Sequence, residues 1–158
     1  RPLLVRELVE GCHFEHYRVP ALASSPVRRY PVPGTLDDVL GFELLEWSAD
    51  RARGQFAVAD RVKQPLGLVH GGAFAALAES LVSATTHLAG EADGKIAGGP
   101  SNHTSVLRPI LQGTVHADAR PKHRGRTSWV WEVEFTDDEG RLCALTRMQM
   151  AVRDAPGS

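Results

Sequence analysis

Gly72-Ala73-Phe74-Ala75-Ala76-Leu77-Ala78-Glu79-Ser80-Leu81-Val82-Ser83-Ala84-Thr85-Thr86-His87-Leu88-Ala89 is the stretch on which the fold turns. It predicts one long helix over 72–89. The helix is apolar nearly all round, and a helix of that kind is normally buried rather than laid on a surface. Its alanines let neighbouring elements approach closely. Glu79 is the exception, because an ionised carboxylate in a buried helix is costly unless it is paired or hydrogen-bonded. Gly72, Ala76, Glu79 and Ser83 share one face at helical spacing, and Thr86 and His87 continue it. That stripe is small or polar, as a face lining a site would be. The helix alone admits a second reading, an edge open to solvent with Glu79 as a surface residue.

Working outward, Phe42–Trp47 and Gly54–Ala59 alternate weakly and read as a hairpin turning at Ser48-Ala49-Asp50. Before it, Thr35 is a candidate N-cap with Asp37 and Asp38 in the first turn of a short helix. Residues 60–71, with Pro65, Gly67 and Gly71, read as a loop. After Gly94 come four strand-like stretches, with turns at Leu111-Gln112-Gly113, at Gly125 and at Asp138-Glu139-Gly140. In the third, Trp129, Trp131, Val133 and Phe135 face one way. In the fourth, Leu142, Ala144, Thr146, Met148, Met150 and Val152 do so. Two strands, a buried helix and a four-strand meander make an α+β fold, an antiparallel sheet wrapped around one helix. Residues 1–33 form a Pro-containing, partly irregular extension, 34–154 the domain, and 155–158 a tail.

The chain has 158 residues, enough for one domain with its own core. A net charge of -1 provides no general pull toward nucleic acid. No apolar run approaches the roughly 20 residues that span a bilayer. The first residues, with Glu7 and Glu10 close behind Arg1, do not read as a signal peptide. Cys12 and Cys143 are too few for a disulfide framework, so the expectation is a reduced, cytoplasmic protein.

Val69-His70-Gly71-Gly72 opens the long helix. Free N–H groups at a helix start favour developing negative charge, and glycines let a carbonyl come close. A carbonyl bound there would have its oxyanion stabilised while Glu79, about two turns along, acts on its carbon or on water. A Gly-rich turn before a helix is also common without any function. The α/β-hydrolase reading of His-Gly-Gly fails because no Gly-x-Ser-x-Gly elbow is present, and phosphate-loop and dinucleotide motifs are absent too. Cys12, His13 and His16 lack the second ligand pair of a zinc site, so no metal is expected. His103, in Ser101-Asn102-His103-Thr104-Ser105, reads as part of a strand start with satisfied hydroxyls. Arg108, His123, Arg124, Arg126, Thr127 and Ser128 bring guanidinium groups, hydroxyls and a turn that suit phosphate, or else an exposed charged turn.

Gly67-Leu68-Val69-His70-Gly71-Gly72-Ala73 with Ala76-Leu77-Ala78-Glu79 resembles the helix entry of hotdog-fold acyl-CoA thioesterases. Ser101–Ser105, Leu107-Arg108-Pro109 and Asp138–Ala144 extend the likeness to about residues 35–153. The chain is most similar to the Arthrobacter-type 4-hydroxybenzoyl-CoA thioesterase, and also resembles the phenylacetate-pathway and enterobactin-proofreading enzymes. The resemblance implies a hotdog fold and hydrolysis of an aromatic acyl-CoA to the free acid and CoA, without metal or redox cofactor. It implies a homotetramer built from dimers with active sites shared between subunits. Glu79 would be nucleophile or general base, and the Gly71 N–H would polarise the thioester carbonyl. Gln64 and His70 would assist, with Ser83 supplying a hydroxyl one turn beyond the acid. Gly72, Arg108, Arg126, Thr127 and Ser128 would meet the CoA portion. Arg126 replaces the small polar residue of the Arthrobacter type, and Phe74, Ala75 and Ser80 depart from its aromatic-specific pattern.

Two other functions are compatible with the chain. A hotdog dehydratase acting on acyl carrier protein pairs a His with the acid, and His70 keeps that open. A non-catalytic acyl-CoA sensor would normally carry a DNA-binding module, which residues 1–33 do not supply.

Overall fold

The computed structural model describes residues 30–91 and 94–154. Cys12, His13 and His16, and most of the N-terminal extension, lie outside the described residues. Helix α1 (Leu36–Leu40) starts as the sequence predicts, with the Thr35 side chain accepting the Asp38 N–H; at its other end Gly41 closes the helix in the left-handed conformation. Strands β1 (Phe42–Ser48) and β2 (Arg51–Ala57) form the first hairpin. The second strand begins three residues before the expected Gly54 and ends two residues early. Arg51 pairs with Ser48, so only Ala49 and Asp50 make the turn.

A short 3-10 turn (Asp60–Val62) leads to helix α2 (Gly71–Glu91), one residue earlier and two later than expected. Four strands follow: β3 (Lys95–Val106), β4 (Thr114–Arg124), β5 (Ser128–Thr136) and β6 (Leu142–Asp154). All pairings are antiparallel, in the order β1-β2-β4-β5-β6-β3. The sheet curls around α2, which is the hotdog architecture. Strand β3 stands at one edge of the sheet. Among the described residues no helix is long and apolar enough to cross a membrane.

The burial of α2 is one-sided. Ala73, Phe74, Leu77, Ala78, Leu81, Val82, Thr85 and Thr86 are buried, a stripe repeating every fourth residue. Thr86 therefore belongs to the core and not to the polar face with His87. Gly72 and Glu79 are exposed, and Ala75, Ala76 and Ser83 are half-buried. The sheet answers with Trp129, Trp131, Val133 and Phe135 from β5 and Met148, Met150 and Val152 from β6. Leu142 breaks the expected alternation: it is exposed and Cys143 is buried instead, beside an irregularity in the β5–β6 register. Gly54 lets helix and sheet approach. A Cβ there would lie 2.9 Å from the Glu43 carbonyl oxygen and 3.1 Å from Leu81 Cδ2.

On the other face of the sheet, Arg51 grips Asp118 with two hydrogen bonds, Nε to Oδ1 at 3.0 Å and Nη2 to Oδ2 at 2.6 Å. Burial pushes the Asp118 carboxyl up, but the Arg51 and Arg120 bonds outweigh it and hold the group below the usual carboxylate range. A depressed native value stabilises the fold fully above the unfolded value of about 3.9, and that contribution drains as pH falls through the native value. Both side chains are about one-third exposed, 34% and 31%, so Asp118→Asn should cost only about 1 kcal/mol at pH 7. Urea titrations of wild type and variant should show that gap beginning to close as the pH falls below about 4. A gap that persists at low pH would assign the loss to something other than the ion pair.

Candidate active site

Helix α2 and strand β3 lie side by side and run antiparallel. Gly71 faces Val106, whose Cγ2 would be 3.7 Å from a Cβ at Gly71. One turn on, Asn102 Nδ2 donates to the Ala75 carbonyl at 3.0 Å. At the far end Gly90 lies against Lys95. Glu79 sits midway, exposed on the chain and turned toward the edge strand. Asn102 Nδ2 donates to its Oε2 at 3.4 Å. Its Oε1 looks onto Gly99, where a Cβ would come within 2.9 Å. The β3–β6 register shifts between Gly98 and Ser101, an irregularity of the kind that re-aims strands next to sites. The carboxylate thus lies neither in the core nor on a bare surface.

The start of α2 is held by backbone. Val69 N–H donates to Ile110 O, and His70 N–H to Val62 O. His70 Nδ1 accepts the Gly72 N–H at 2.8 Å, so the imidazole caps the helix and occupies that donor. Among the described residues the Gly71 N–H has no protein acceptor, which leaves it free for a ligand. Gln64 shapes the loop before it: its Oε1 accepts the Leu66 N–H at 2.8 Å, and its carbonyl takes the Gly67 N–H. A mostly apolar cavity of about 330 Å³ opens beside this helix end, lined by Leu68, Val69, Phe74, Val106 and Ile110, with Arg108 also on its wall.

Two pairs expected to work together do not meet within one chain. Gly71 and Glu79 are eight residues apart, so their Cα atoms are separated by about 12 Å along the helix axis. One bound carbonyl cannot touch both. Arg108 lies in the loop after β3, where its N–H reaches Cys143 O at 3.0 Å, near the start of β6. Ser128, next to Arg126 and Thr127, pairs with Ala151 near the end of β6. Eight strand residues separate those points, about 26 Å. The basic residues therefore occupy opposite ends of the sheet.

Ser83 lies one turn beyond Glu79 and is half-buried. Ser128 Oγ accepts from Gln149, and the Thr127 carbonyl takes the Val152 N–H and an Arg153 guanidinium N–H. Arg126 and the Thr127 side chain are exposed. Cys143 is fully buried, burial pushes its thiol up, and its Sγ donates to Arg141 O, so it is no nucleophile. Among the described residues no three His, Cys, Asp or Glu side chains group as metal ligands. Asn102 and Gly99 are the site residues that the sequence reading missed. The signal was the Gly98-Gly99-Pro100 interruption of a strand, where glycine allows close approach.

Residues 66–144 match the model of the thioesterase superfamily. A proofreading thioesterase of Cronobacter turicensis is 40% identical over 119 residues, covering 75% of this chain and 86% of that protein. The 1,4-dihydroxy-2-naphthoyl-CoA hydrolase of Escherichia coli is 38% identical over 103 residues, 65% of this chain and 75% of that protein. Among solved structures, a thioesterase variant from Pseudomonas aeruginosa superposes with a TM-score of 0.73 at 30% identity, covering 86% of this chain and 96% of that one. The curled sheet, the central helix and these relatives agree, and the chain belongs to the thioesterase superfamily as a hotdog-fold thioester hydrolase.

Proposed function

We propose that this protein hydrolyses an aromatic acyl-CoA to the free acid and CoA, with Glu79 as nucleophile or general base. The observation that carries the reading is a carboxylate held at the α2–β3 seam together with an unspent N–H at Gly71, the donor that would polarise the thioester carbonyl. Support for the residues comes from a Staphylococcus aureus thioesterase solved in two single-site alanine variants, one at a Gln and one at a Glu fifteen residues later. Gln64 and Glu79 have the same separation. The Pseudomonas aeruginosa structure is likewise a Gln-to-Ala variant. An aromatic acyl group is favoured by the naphthoyl-CoA relative and by the resemblance to the Arthrobacter-type 4-hydroxybenzoyl-CoA enzyme. The cavity beside Gly71 is of a size that takes a small acyl group or the pantetheine arm. Neither metal nor redox cofactor enters this chemistry.

The 12 Å between Gly71 and Glu79 argues that the working unit is a homodimer. Strand β3 is twelve residues long, and Ile96 and Val106 on it and Leu107 just after it are exposed. A second copy laid antiparallel along this edge runs its α2 antiparallel to the first, which brings its Gly71 end toward Glu79. The same two-fold carries Arg126, Thr127 and Ser128 of one copy toward the Arg108 end of the other. Each of the two sites then takes its acid from one chain and its carbonyl-polarising N–H from the other. Pairing of dimers into a tetramer is what the resemblance implies, and a cytoplasmic location is what the reading of the two cysteines as reduced implies.

A panel of aryl-, arylacetyl- and straight-chain acyl-CoAs, assayed for thiol release, tests the reading. Hydrolysis of the aromatic members with the higher kcat/KM is expected. Failure to cleave any acyl-CoA would sink it and raise the acyl-CoA sensor in its place.

A further inference from the structure

We infer that Asn102 is a positioning residue for Glu79, oriented by a one-way hydrogen-bond chain that begins in the core at Thr146. The inference rests on the reading of Glu79 as the working carboxylate.

The Asn102 amide is fixed at both ends. Its Nδ2 faces two acceptors, the Ala75 carbonyl at 3.0 Å and Glu79 Oε2 at 3.4 Å. Its Oδ1 accepts the Thr104 hydroxyl at 3.0 Å. The reversed amide would set Oδ1 against a carbonyl and a carboxylate, and would offer Nδ2 to a hydroxyl already in contact with another. Thr104 Oγ1 also lies 2.7 Å from Thr146 Oγ1. A hydroxyl has one proton to donate, and Thr104 spends its proton on Asn102. Thr146 must then be the donor of that contact. The direction is set throughout: Thr146 to Thr104, Thr104 to Asn102, Asn102 to Glu79. Thr146 is fully buried on β6 and Thr104 is half-buried on β3, so the chain anchors the amide to the sheet. Bonds ordered head to tail polarise one another, which makes the last N–H a better donor.

Two consequences reach the carboxylate. Ala75 O is the carbonyl that the Glu79 N–H meets one helical turn back, so Asn102 grips both the turn carrying Glu79 and its side chain. Holding Oε2 leaves Oε1 as the oxygen free to act, in the space that Gly99 keeps open.

The test is steady-state hydrolysis of one acyl-CoA by the full chain. Asn102→Ala should lower kcat by about 10- to 100-fold, the usual worth of a hydrogen bond to a charged group, with KM little changed. Thr104→Val should cost less, Thr104→Ser should restore the wild-type rate, and Thr104→Val should cost nothing more once Asn102 is Ala. Matched circular dichroism spectra establish folding, and the Thr104 pair stands if Asn102→Ala fails to fold. Wild-type kcat in Asn102→Ala, or Thr104→Val effects that multiply with it, would overturn the inference. Glu79→Gln separates the two failures. A dead Glu79→Gln beside a normal Asn102→Ala overturns this inference alone, and a fully active Glu79→Gln overturns the functional reading as well.

Discussion

Glu79→Gln should reduce thioester hydrolysis by about 1,000-fold or more while leaving the fold as stable as before. The two side chains have nearly the same shape, so the α2–β3 seam stays filled. What is lost is the negative charge, and with it the ability to attack a carbonyl carbon or to take a proton from water. The change in stability should stay within about 0.5 kcal/mol, because Glu79 is exposed and contributes no apolar burial. Thiol-release rates and a urea titration on the same preparation make the comparison. A variant that keeps a tenth of the wild-type kcat would remove Glu79 from the chemistry. A variant that is both inactive and unstable would show that the carboxylate serves the fold. The free-standing position of Glu79 between Asn102 and Gly99 makes the first expectation sharp.

Phe74→Ala should cost about 3–5 kcal/mol of folding stability. Phe74 is 1% exposed on the buried stripe of α2. Its ring stands 5.2 Å from Phe135 and 6.2 Å from Phe56, which in turn lies 5.5 Å from Phe42. Both of its own contacts are edge-on, the arrangement that adds to simple area burial. These rings link β5, α2, β2 and β1, and truncation at Phe74 leaves a void between the Phe135 ring of β5 and the Phe56 ring of β2. These two walls cannot collapse together. The measurement is the urea midpoint at constant slope. A loss under about 1 kcal/mol would mean that the sheet closes on the gap. Phe74 also lines the cavity beside Gly71, so the variant should enlarge that space and raise the relative rate on bulkier acyl groups.

Local chemistry carried much of this molecule. Thr35 and Gly41 end α1 as their side-chain types require, and the Trp129–Phe135 alternation points inward for all four residues. Leu142 shows where alternation stops being informative, since a slip in register beside Phe135 exchanges the faces. The hairpin is legible but the start of β2 at Arg51 is not, because the buried positions there are Ala52 and Gly54, too small to mark an apolar alternation. Thr86 was misplaced for a different reason. Threonine is compatible with core and surface alike, and only the sheet above it decides.

Local patterning is enough to enclose one long helix in an antiparallel sheet, and to stand a carboxylate on that helix beyond a glycine-rich start. Both follow from interactions within a few residues: periodicity, capping and turn chemistry. Where Glu79 looks is set by packing between distant parts of the chain. It faces the edge strand, with Asn102 on one oxygen and Gly99 beside the other, across 20 residues or more of chain. Packing, too, sets Arg108 and Arg126 at opposite ends of the sheet, whereas the separation of Gly71 from Glu79 follows from the length of helix between them. The rise of a helix and of a strand turns neighbours in a motif into partners too distant to share one ligand.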